Sequence, residues 1–353
     1  MKKIAMLTGG GDCPGLNAVI RAVTRRALVE GYEVIGFRNG WAGVLKGEFT
    51  PLNRERVSGI LHLGGTILGT SRTNPTDEQV EIIVRNLKGF DITALVAIGG
   101  DDTLSVASRL HKRGVPVIGV PKTIDNDIFG TDQTFGFDTA VNIATEALDR
   151  LHTTAEAHSR VLFVEIMGRQ AGWIAWEAGV AGGADLVLLP EFPMSLAEIC
   201  KIIKQRQAGG KSFSIVAVAE GFQIEGQEIV QSKELDAFGH VRLGGIAEVL
   251  AKEVEKITGI ESRTVVLGYI QRGGTPSAYD RALATRYGVK AVELAIAGQF
   301  GRMAALRGTE IVGVSLDDVV HEVTDKKTGK SRLRLKNRCV TVELYNVAKV
   351  FFG

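Results

Sequence analysis

Short runs rich in Val and Ile alternate with helical patterns along most of this chain. The strand candidates read KIAML, YEVIGF, ALVAI, VPVIGV, RVLFVEIM, ADLVLLP, FSIVAVAEG and RTVVLGYI, and helix-like stretches lie between them. Strict β–α–β alternation is satisfied by a parallel sheet with helices on both faces, so the sequence predicts an α/β fold. In such folds, ligands bind just beyond the carboxyl ends of the strands.

The length of the chain predicts more than one domain. At 353 residues, with 45% hydrophobic residues, the chain exceeds the size of one typical core. The change of domain is expected within 135–160. The polar segment 321–337, HEVTDKKTGKSRLRLKN, predicts a hairpin or a mobile excursion.

Composition argues against several classes of partner. There are 42 basic and 40 acidic residues in mixture, which gives no indication of binding to nucleic acid or to a membrane surface. The three cysteines are widely spaced, and no stretch resembles a signal peptide or a membrane span. A cytoplasmic enzyme is the simplest interpretation. Gly is abundant (43, against 8 Pro) and clusters after strands, which suggests backbone that approaches ligands.

Two acidic segments follow two of the apolar runs. GGDD (99–102) comes after ALVAI, and PKTIDND (121–127) comes after VPVIGV. Carboxylates beside a cation and flexible backbone suit a magnesium–phosphate site, with Asp101 presented to the metal. In an extended segment Asp125 and Asp127 would share one side. The alternatives are a helix N-cap for the first segment and an Asx-rich turn for the second.

Other candidates lie at strand ends. TGGGDCPG (8–15) could bind an anion through its backbone and the following helix, or could be a tight β–α turn. Lys122 could be a point charge for a phosphate, or a counterion to the neighbouring acids. Arginines at the edge of a sheet suit a sugar phosphate, although each alone could be solvated. These arginines are Arg160, Arg169, Arg263 and Arg272.

In combination and spacing, the motifs resemble those of the phosphofructokinase family. GGDD, PKTIDND, MGRQAGW, AEG and LGYIQRGG occur in the order of that family, from the opening LTGGGDCPGLNA to about Arg302. The resemblance implies two Rossmann-like domains with mostly parallel sheets flanked by helices. It implies phosphorylation of fructose 6-phosphate at the 1-hydroxyl, with Mg²⁺, in glycolysis. The implied phosphoryl-donor domain is 1–137 plus about 258–303, and the implied fructose 6-phosphate domain is 138–257 plus about 304–353.

The resemblance also implies roles for residues of this chain. Asp125 would be the general base, with Thr123 and Arg169 as further catalytic residues and Asp101 as the magnesium ligand. Residues implied in donor binding and specificity are Gly10, Gly11, Arg72, Asp102 and Lys122. Residues implied in binding fructose 6-phosphate are Thr123, Asp125, Asp127, Arg160, Met167, Gly168, Arg169, Glu220, Arg263, Tyr269 and Arg272. The equivalents of Arg160 and Arg263 come from a neighbouring subunit, which implies a homodimer or homotetramer.

Two positions bear on the phosphoryl donor. Family members that use ATP typically read GGDG and PGTIDND, whereas this chain has Asp102 and Lys122, as pyrophosphate-dependent members do. A carboxylate in place of Gly adds bulk and negative charge where the ATP α-phosphate and nucleoside would lie, and Lys122 adds a cation for pyrophosphate. Rejection of one donor combined with attraction of the other is how specificity usually arises, so we expect pyrophosphate.

Three other functions compete with this interpretation. The nearest is an ATP-dependent phosphofructokinase on the same scaffold. A lipid or NAD kinase would also carry a GGDG-like loop, but the TIDND and QRGG motifs argue against it. A catalytically silent phosphate-binding or regulatory subunit is the third, and the retained acids Asp101, Asp125 and Asp127 argue against that function.

Overall fold

The computed structural model describes residues 2–226, 244–324 and 331–352, which divide into two compact units. Unit 1 comprises Met1–Thr123, Ile128–Asp138 and Arg272–Asn337. Unit 2 comprises Ile124–Asp127, Thr139–Gln271 and Arg338–Gly353. Each unit contains a mostly or wholly parallel sheet flanked by helices, as the sequence predicts.

The strands and helices alternate along most of the chain. The strands are β1 (Lys3–Thr8), β2 (Glu33–Phe37), β3 (Phe49–Pro51), β4 (Ala94–Gly99), β5 (Val117–Pro121), β6 (Val161–Ile166), β7 (Leu186–Leu188), β8 (Ser214–Ala219), β9 (Ser262–Val266), β10 (Arg302–Arg307), β11 (Glu310–Ser315), β12 (Val320–Thr324) and β13 (Ser331–Leu335). The helices are α1 (Leu16–Val29), α2 (Trp41–Lys46), α3 (Asp77–Gly89), α4 (Asp101–His111), α5 (Phe137–His158), α6 (Trp173–Ala181), α7 (Leu196–Ala208), α8 (Ile246–Thr258), α9 (Ala278–Ile296), α10 (Leu316–Val319) and α11 (Val342–Lys349). Two pairs of strands, β10 with β11 and β12 with β13, are consecutive among the described elements. A 3₁₀ helix spans Gly268–Arg272. None of the helices within the described ranges combines the length and apolar character needed to cross a bilayer.

The sheet of unit 1 has the order β11–β10–β5–β4–β1–β2–β3. Its central strands pair in parallel, and antiparallel β3 and β11 form the two edges. The Val- and Ile-rich residues of β4 and β5 are buried throughout, as expected for strands covered on both faces. The chain passes from β1 to β2 on one side and later returns as β4 on the other. This reversal makes the β1–β4 boundary a topological switch point, where ligands of such sheets bind.

The sheet of unit 2 has four parallel strands in the order β7–β8–β6–β9. A buried acid on β6 links this sheet to α8. The carboxylate of Glu165, which is 4% exposed, accepts hydrogen bonds from the backbone N–H groups of Gly245 (3.0 Å) and Ala247 (3.1 Å). The N-cap residue Gly245 has no capping side chain, so Glu165 satisfies N–H groups that the helix itself leaves without acceptors.

The structural units differ from the predicted domain ranges in the short segment Ile124–Asp127, which belongs to unit 2, and in two longer stretches. Strand β9 pairs with β6, so residues 262–266 belong to the sheet of unit 2 rather than to the predicted donor domain. Strand β10 pairs with β5, and β11 pairs with β10, so residues 302–315 extend the sheet of unit 1. Strand pairing between segments distant in sequence determines both assignments, and local patterns do not reveal it. The predicted strand RTVVLGYI also ends early, because its last residues enter the 3₁₀ helix.

The charged C-terminal segment forms the predicted hairpin. Strands β12 and β13 pair antiparallel, with Val320 opposite Leu335. The connection at 325–330 lies outside the described residues. The hairpin packs against α4 through β13, and Leu335 lies in the same hydrophobic core cluster as Leu104.

Replacement of Glu165 by Gln should destabilise the protein, because the helix α8 would lose a charged acceptor at its positive end. We expect the free energy of unfolding to fall by about 1.5–3 kcal/mol, the range for hydrogen bonds to charged groups. Urea denaturation followed by circular dichroism measures the change. Glu248→Gln, an exposed acid in the first turn of the same helix, is the matched control. Equal effects of the two substitutions would contradict a capping role for Glu165.

Candidate active site

The loops that follow β1, β4 and β5 converge at the carboxyl edge of the sheet of unit 1. Beyond the ends of the strands, the backbone N–H of Gly9 donates to the carbonyl of Ile98 (2.9 Å), and the N–H of Lys122 donates to the carbonyl of Gly99 (3.0 Å). These bonds continue the strand ladder into the loops. The glycine turn, the acidic doublet and Lys122 are therefore neighbours at the switch point.

The glycine turn is closely surrounded by other groups. Gly10 has φ of +80°, a left-handed conformation that favours Gly. A Cβ on Gly9 would lie 2.5 Å from Oγ1 of Thr103, and a Cβ on Gly11 would lie 2.9 Å from a guanidinium nitrogen of Arg272. The Arg272 guanidinium also donates to the carbonyl of Asp12 (3.3 Å). The turn is thus both a tight β–α connection and a backbone surface with a cation beside it.

Lys122 is a buried cation beside this turn. It is 3% exposed, and its Nζ donates to the carbonyl oxygen of Gly11. A Cβ on Gly10 would lie 3.5 Å from the same Nζ. Because the ammonium group already lies against backbone that a ligand could approach, it can contribute positive charge to an anion bound at Gly10 and Gly11 without large rearrangement.

The acidic doublet opens α4, but neither acid is the N-cap. Gly100 takes that position without a side-chain cap, and Asp101 and Asp102 lie in the first turn. Oδ1 of Asp101 accepts hydrogen bonds from the N–H of Leu335 (2.6 Å) and from Oγ of Ser105 (3.2 Å). Burial raises the pKa of Asp101 above its ordinary value, and the hydrogen bond from Leu335 opposes that rise.

The side chains in this loop fit a magnesium ion that is bound together with phosphate. Mg²⁺ usually takes one or two carboxylates and completes its octahedral shell with phosphate oxygens and water. Asp101 and Asp102 provide two adjacent carboxylates. Among the described residues, both hydrogen bonds to Asp101 end on Oδ1, so Oδ2 is the oxygen that a cation would use; the positive charge of Arg334 also acts on this carboxylate and lowers its pKa. The same part of the chain has no group of three or more His, Cys, Asp or Glu side chains arranged as a complete protein metal cage.

The second acidic segment does not have the predicted extended form. Asn126 has φ of +53°, and Asn is one of the few non-Gly residues that tolerates this left-handed region. The alternation of side chains in a strand therefore cannot be used to place Asp125 and Asp127 on one side. Asp125 is 4% exposed, and the carbonyl of Asp127 accepts a hydrogen bond from the N–H of Arg338 (2.8 Å). Thr123, at the end of unit 1, is also buried.

The carboxyl edge of the sheet of unit 2 brings together residues after β6 and β8. Oε1 of Glu220 accepts hydrogen bonds from the N–H groups of Gly168 (3.2 Å) and Arg169 (2.8 Å). Arg169 has φ of +56°, and Gly168 has φ of +150°, where a Cβ would lie 2.5 Å from the carbonyl oxygen of Ala171. Glu220 thus fixes the unusual backbone of the predicted sugar-binding loop, which begins with Met167.

Arg160 and Arg263 lie at the opposite, amino edge of the same sheet. Arg160 directly precedes β6, and Arg263 is the second residue of β9. Both contact Glu261, with 2.9 Å between the Arg160 guanidinium and the carboxylate. At about 3.3 Å per residue, a six-residue strand separates the two edges by roughly 17–20 Å. Within unit 2, these arginines are not brought together with Glu220 and the loop after β6.

Arg72 borders the glycine turn, because it follows Ser71, whose carbonyl accepts a hydrogen bond from the N–H of Gly10 (3.2 Å). Tyr269 lies in the 3₁₀ helix and is 74% exposed, and Arg72 is also exposed. The sequence alone assigns no role to several contributors among the described residues, including Ser105, whose hydroxyl donates to Asp101. Thr103 packs beneath the glycine turn, Asn74 donates to Oδ1 of Asp102 (3.4 Å), and Leu335 donates to Asp101. No local motif marks Leu335, because it contributes only a backbone N–H and lies 234 residues after Asp101 in the sequence.

Parallel α/β sheets whose polar edges carry glycine turns, carboxylates and cations are typical of enzymes that act on phosphorylated ligands. The family model described as Phosphofructokinase matches residues 3–295. The chain therefore belongs to the phosphofructokinase family, whose members are kinases of glycolysis.

Individual relatives agree on the family but carry two kinds of name. A protein of Streptomyces coelicolor named pyrophosphate–fructose 6-phosphate 1-phosphotransferase is 53% identical over 99% of this chain and 100% of its own length. A protein of Clostridium perfringens named ATP-dependent 6-phosphofructokinase 2 is 54% identical over 91% of this chain and 92% of its own length. Overall similarity thus supports phosphofructokinase activity without selecting the donor.

Solved structures support the same fold. Phosphofructokinase from Saccharomyces cerevisiae superposes with a TM-score of 0.77 and 31% identity. The match covers 90% of this chain and 45% of the yeast chain, so this chain spans less than half of that relative.

Proposed function

We propose that this protein transfers a phosphoryl group from pyrophosphate to the 1-hydroxyl of fructose 6-phosphate, giving fructose 1,6-bisphosphate and phosphate, and that the reaction runs readily in both directions. The observation that carries the choice of donor is the presence of Asp102 and Lys122 at the carboxyl edge of the sheet of unit 1, beside the glycine turn.

The charges of these two residues favour a small inorganic donor. Asp102 occupies the first turn of α4, where a longer polyphosphate with its nucleoside would meet the added bulk and negative charge of the carboxylate. Lys122 provides a buried ammonium group against the carbonyl of Gly11. Gly10, Gly11 and Arg72 complete the proposed donor set. Attraction of pyrophosphate and exclusion of ATP would then arise at adjacent positions.

Asp101 would be the main protein ligand of Mg²⁺. When bound, the ion would neutralise charge on the phosphoryl oxygens. Lys122 and Arg169 would offset the charge that grows on the leaving phosphate, and Thr123 would lie beside the transferred group. Such positioning and electrostatic stabilisation are the main sources of catalysis in phosphoryl transfer.

Asp125 would accept the proton of the 1-hydroxyl as the hydroxyl oxygen attacks the donor. Asp127 would also contact the fructose 6-phosphate. The fructose 6-phosphate would be bound by the loop that Glu220 holds, by Arg272 and by Tyr269. The loop residues proposed to contact the sugar are Met167, Gly168 and Arg169. Arg160 and Arg263 of a neighbouring subunit would complete this site in a homodimer or homotetramer. Their location at the amino edge of their own sheet supports use by another chain.

The donor proposal is tested by assaying pyrophosphate, ATP and ADP with fructose 6-phosphate and magnesium. We expect turnover with pyrophosphate and little or none with ATP. Asp102→Gly should raise kcat/KM with ATP at least about tenfold, since removing a like charge is worth 1.4 kcal/mol or more. The gain could require Lys122→Gly as well, because neighbouring substitutions need not add.

Asp102→Asn separates charge from size in this experiment, since it keeps the bulk of the side chain and removes the carboxylate. Efficient use of ATP by the unmodified protein, without pyrophosphate activity, would establish the ATP-dependent function that some relatives' names carry and would overturn the proposed donor.

The base proposal predicts that Asp125→Asn lowers kcat by about 10²–10⁴-fold while KM changes little, because the substitution keeps size and removes the proton acceptor. Steady-state kinetics with fructose 6-phosphate measure the change. Asp132→Asn is a control: its carboxylate accepts the N–H of Gly308 and lies outside the proposed set. Near-full turnover of Asp125→Asn would mean that another group takes the proton.

The shared-site proposal predicts that an Arg263→Ala protein and an Asp125→Ala protein, each inactive alone, regain partial activity after subunit exchange. One class of hybrid site then contains an intact base and an intact arginine from the neighbour. A mixture of Arg263→Ala and Arg160→Ala should stay inactive, because both arginines come from the same neighbour. A fully active monomer in light scattering, or failure of the first mixture despite proven exchange, would refute the shared site.

A further inference from the structure

The C-terminal hairpin β12–β13 contacts the acidic doublet although it lies beyond the residues that the family model matches, which end at 295. Leu335, the last residue of β13, is 3% exposed and packs in the core cluster of unit 1. Its backbone N–H donates to Oδ1 of Asp101 at 2.6 Å. This is a direct contact between the hairpin and the proposed metal ligand.

Neighbouring backbone hydrogen bonds and strand pairing hold the N–H of Leu335 in place. Val320 of β12 lies opposite Leu335, and the N–H of the next residue, Lys336, donates to the carbonyl of Val319 (2.8 Å). The carbonyl of Lys336 in turn accepts from the N–H of Phe129 (3.1 Å). The N–H that donates to Asp101 therefore belongs to a paired strand, and the side chain of the same residue is buried. Both features restrict the movement of this donor more than that of a flexible side-chain donor.

A second donor reaches the same carboxylate oxygen from α4 itself. Ser105 lies one turn after Asp101, and its hydroxyl is 3.2 Å from Oδ1. Two donors on Oδ1 restrict the orientation of the carboxylate, so that Oδ2 is the oxygen that would face a cation. Partners of this kind determine how a ligand presents its oxygen to a metal, and their loss commonly costs about 10–100-fold in metal affinity.

We propose that strand β13 is a positioning element of the metal site, in which the N–H of Leu335, together with Ser105, holds Asp101 so that Oδ2 faces the cation. The inference rests on the proposed role of Asp101 as the magnesium ligand. Leu335 and Ser105 are positioning residues, because they act through Asp101.

Binding of Mn²⁺ in the presence of methylenediphosphonate, a non-cleavable pyrophosphate analogue, tests the inference without turnover. Electron paramagnetic resonance measures free and bound Mn²⁺. Leu335→Pro removes the N–H and should weaken Mn²⁺ binding about 10–100-fold. Ser105→Ala should weaken it by up to about tenfold. KM for fructose 6-phosphate should stay unchanged in both variants, because the sugar site does not use Asp101.

Two matched controls separate positioning from packing. Leu335→Ala shortens the same buried side chain but keeps the N–H, so it should bind Mn²⁺ nearly as the unmodified protein does. Ser108→Ala removes a buried hydroxyl from the same helix that bonds to Asp317 rather than to Asp101, and should also leave Mn²⁺ binding unchanged. If Leu335→Pro does not fold, Ser105→Ala and Ser108→Ala test the inference. Weaker Mn²⁺ binding in Ser105→Ala than in Ser108→Ala supports the positioning role, and equal binding overturns it.

Asp101→Asn distinguishes failure of this inference from failure of the proposed function. Unchanged Mn²⁺ binding in Asp101→Asn would show that Asp101 is not a metal ligand, and this part of the proposed function would fail. Loss of binding in Asp101→Asn, combined with unchanged binding in Leu335→Pro and Ser105→Ala, would overturn the positioning role alone. Equal losses in Leu335→Pro and Leu335→Ala, with none in Ser105→Ala, would assign the effect to packing and also overturn it.

Discussion

Parallel pairing of β1 with β4 and of β4 with β5 is the constraint on which the candidate site of unit 1 depends. It directs three loops to one edge, and the backbone bonds of Gly9 and Lys122 extend the ladder into them. Burying an ammonium group as deeply as that of Lys122 is costly unless polar partners compensate. The carbonyl of Gly11 is such a partner, and it holds the amino group of Lys122 beside the partly buried backbone of the glycine turn.

Unit 2 uses the two edges of its sheet differently. The carboxyl edge carries the loop shaped by Glu220, whereas the amino edge carries Arg160 and Arg263 around Glu261. One parallel sheet cannot direct both sets to the same ligand, because the length of its strands separates them. Both arginines are partly solvent-exposed and paired with acids at the surface, an arrangement from which a cation can move to a phosphate at modest cost.

The fold could largely be predicted from the sequence, since the buried strands are short apolar runs and helices such as α1 and α8 carry a periodic apolar face. Loop residues such as Gly10 and Asp101 could also be placed at a sheet edge, because their position follows from where a strand ends. The allocation of β9 and β10 to their sheets could not be predicted, since it depends on long-range pairing. The hydrogen bond from Leu335 to Asp101 could not be predicted either, because its donor is a backbone N–H, which every residue except Pro possesses. The left-handed Asn126 shows a third limit: the chain turns where alternation predicts a straight segment.

The discontinuity of unit 1 has a consequence for the order of events during synthesis. Unit 2 draws most of its residues from the single stretch Thr139–Gln271, so its sheet is available for folding once that stretch has left the ribosome. The sheet of unit 1 begins at β1 but lacks β10 and β11 until residue 315 has emerged, and Asp101 lacks its partner until Leu335 follows. The acidic doublet Asp101–Asp102 is therefore translated early but gains its backbone donor late. Nascent chains arrested before Leu335 would contain all the proposed catalytic side chains but would lack the N–H that orients Asp101.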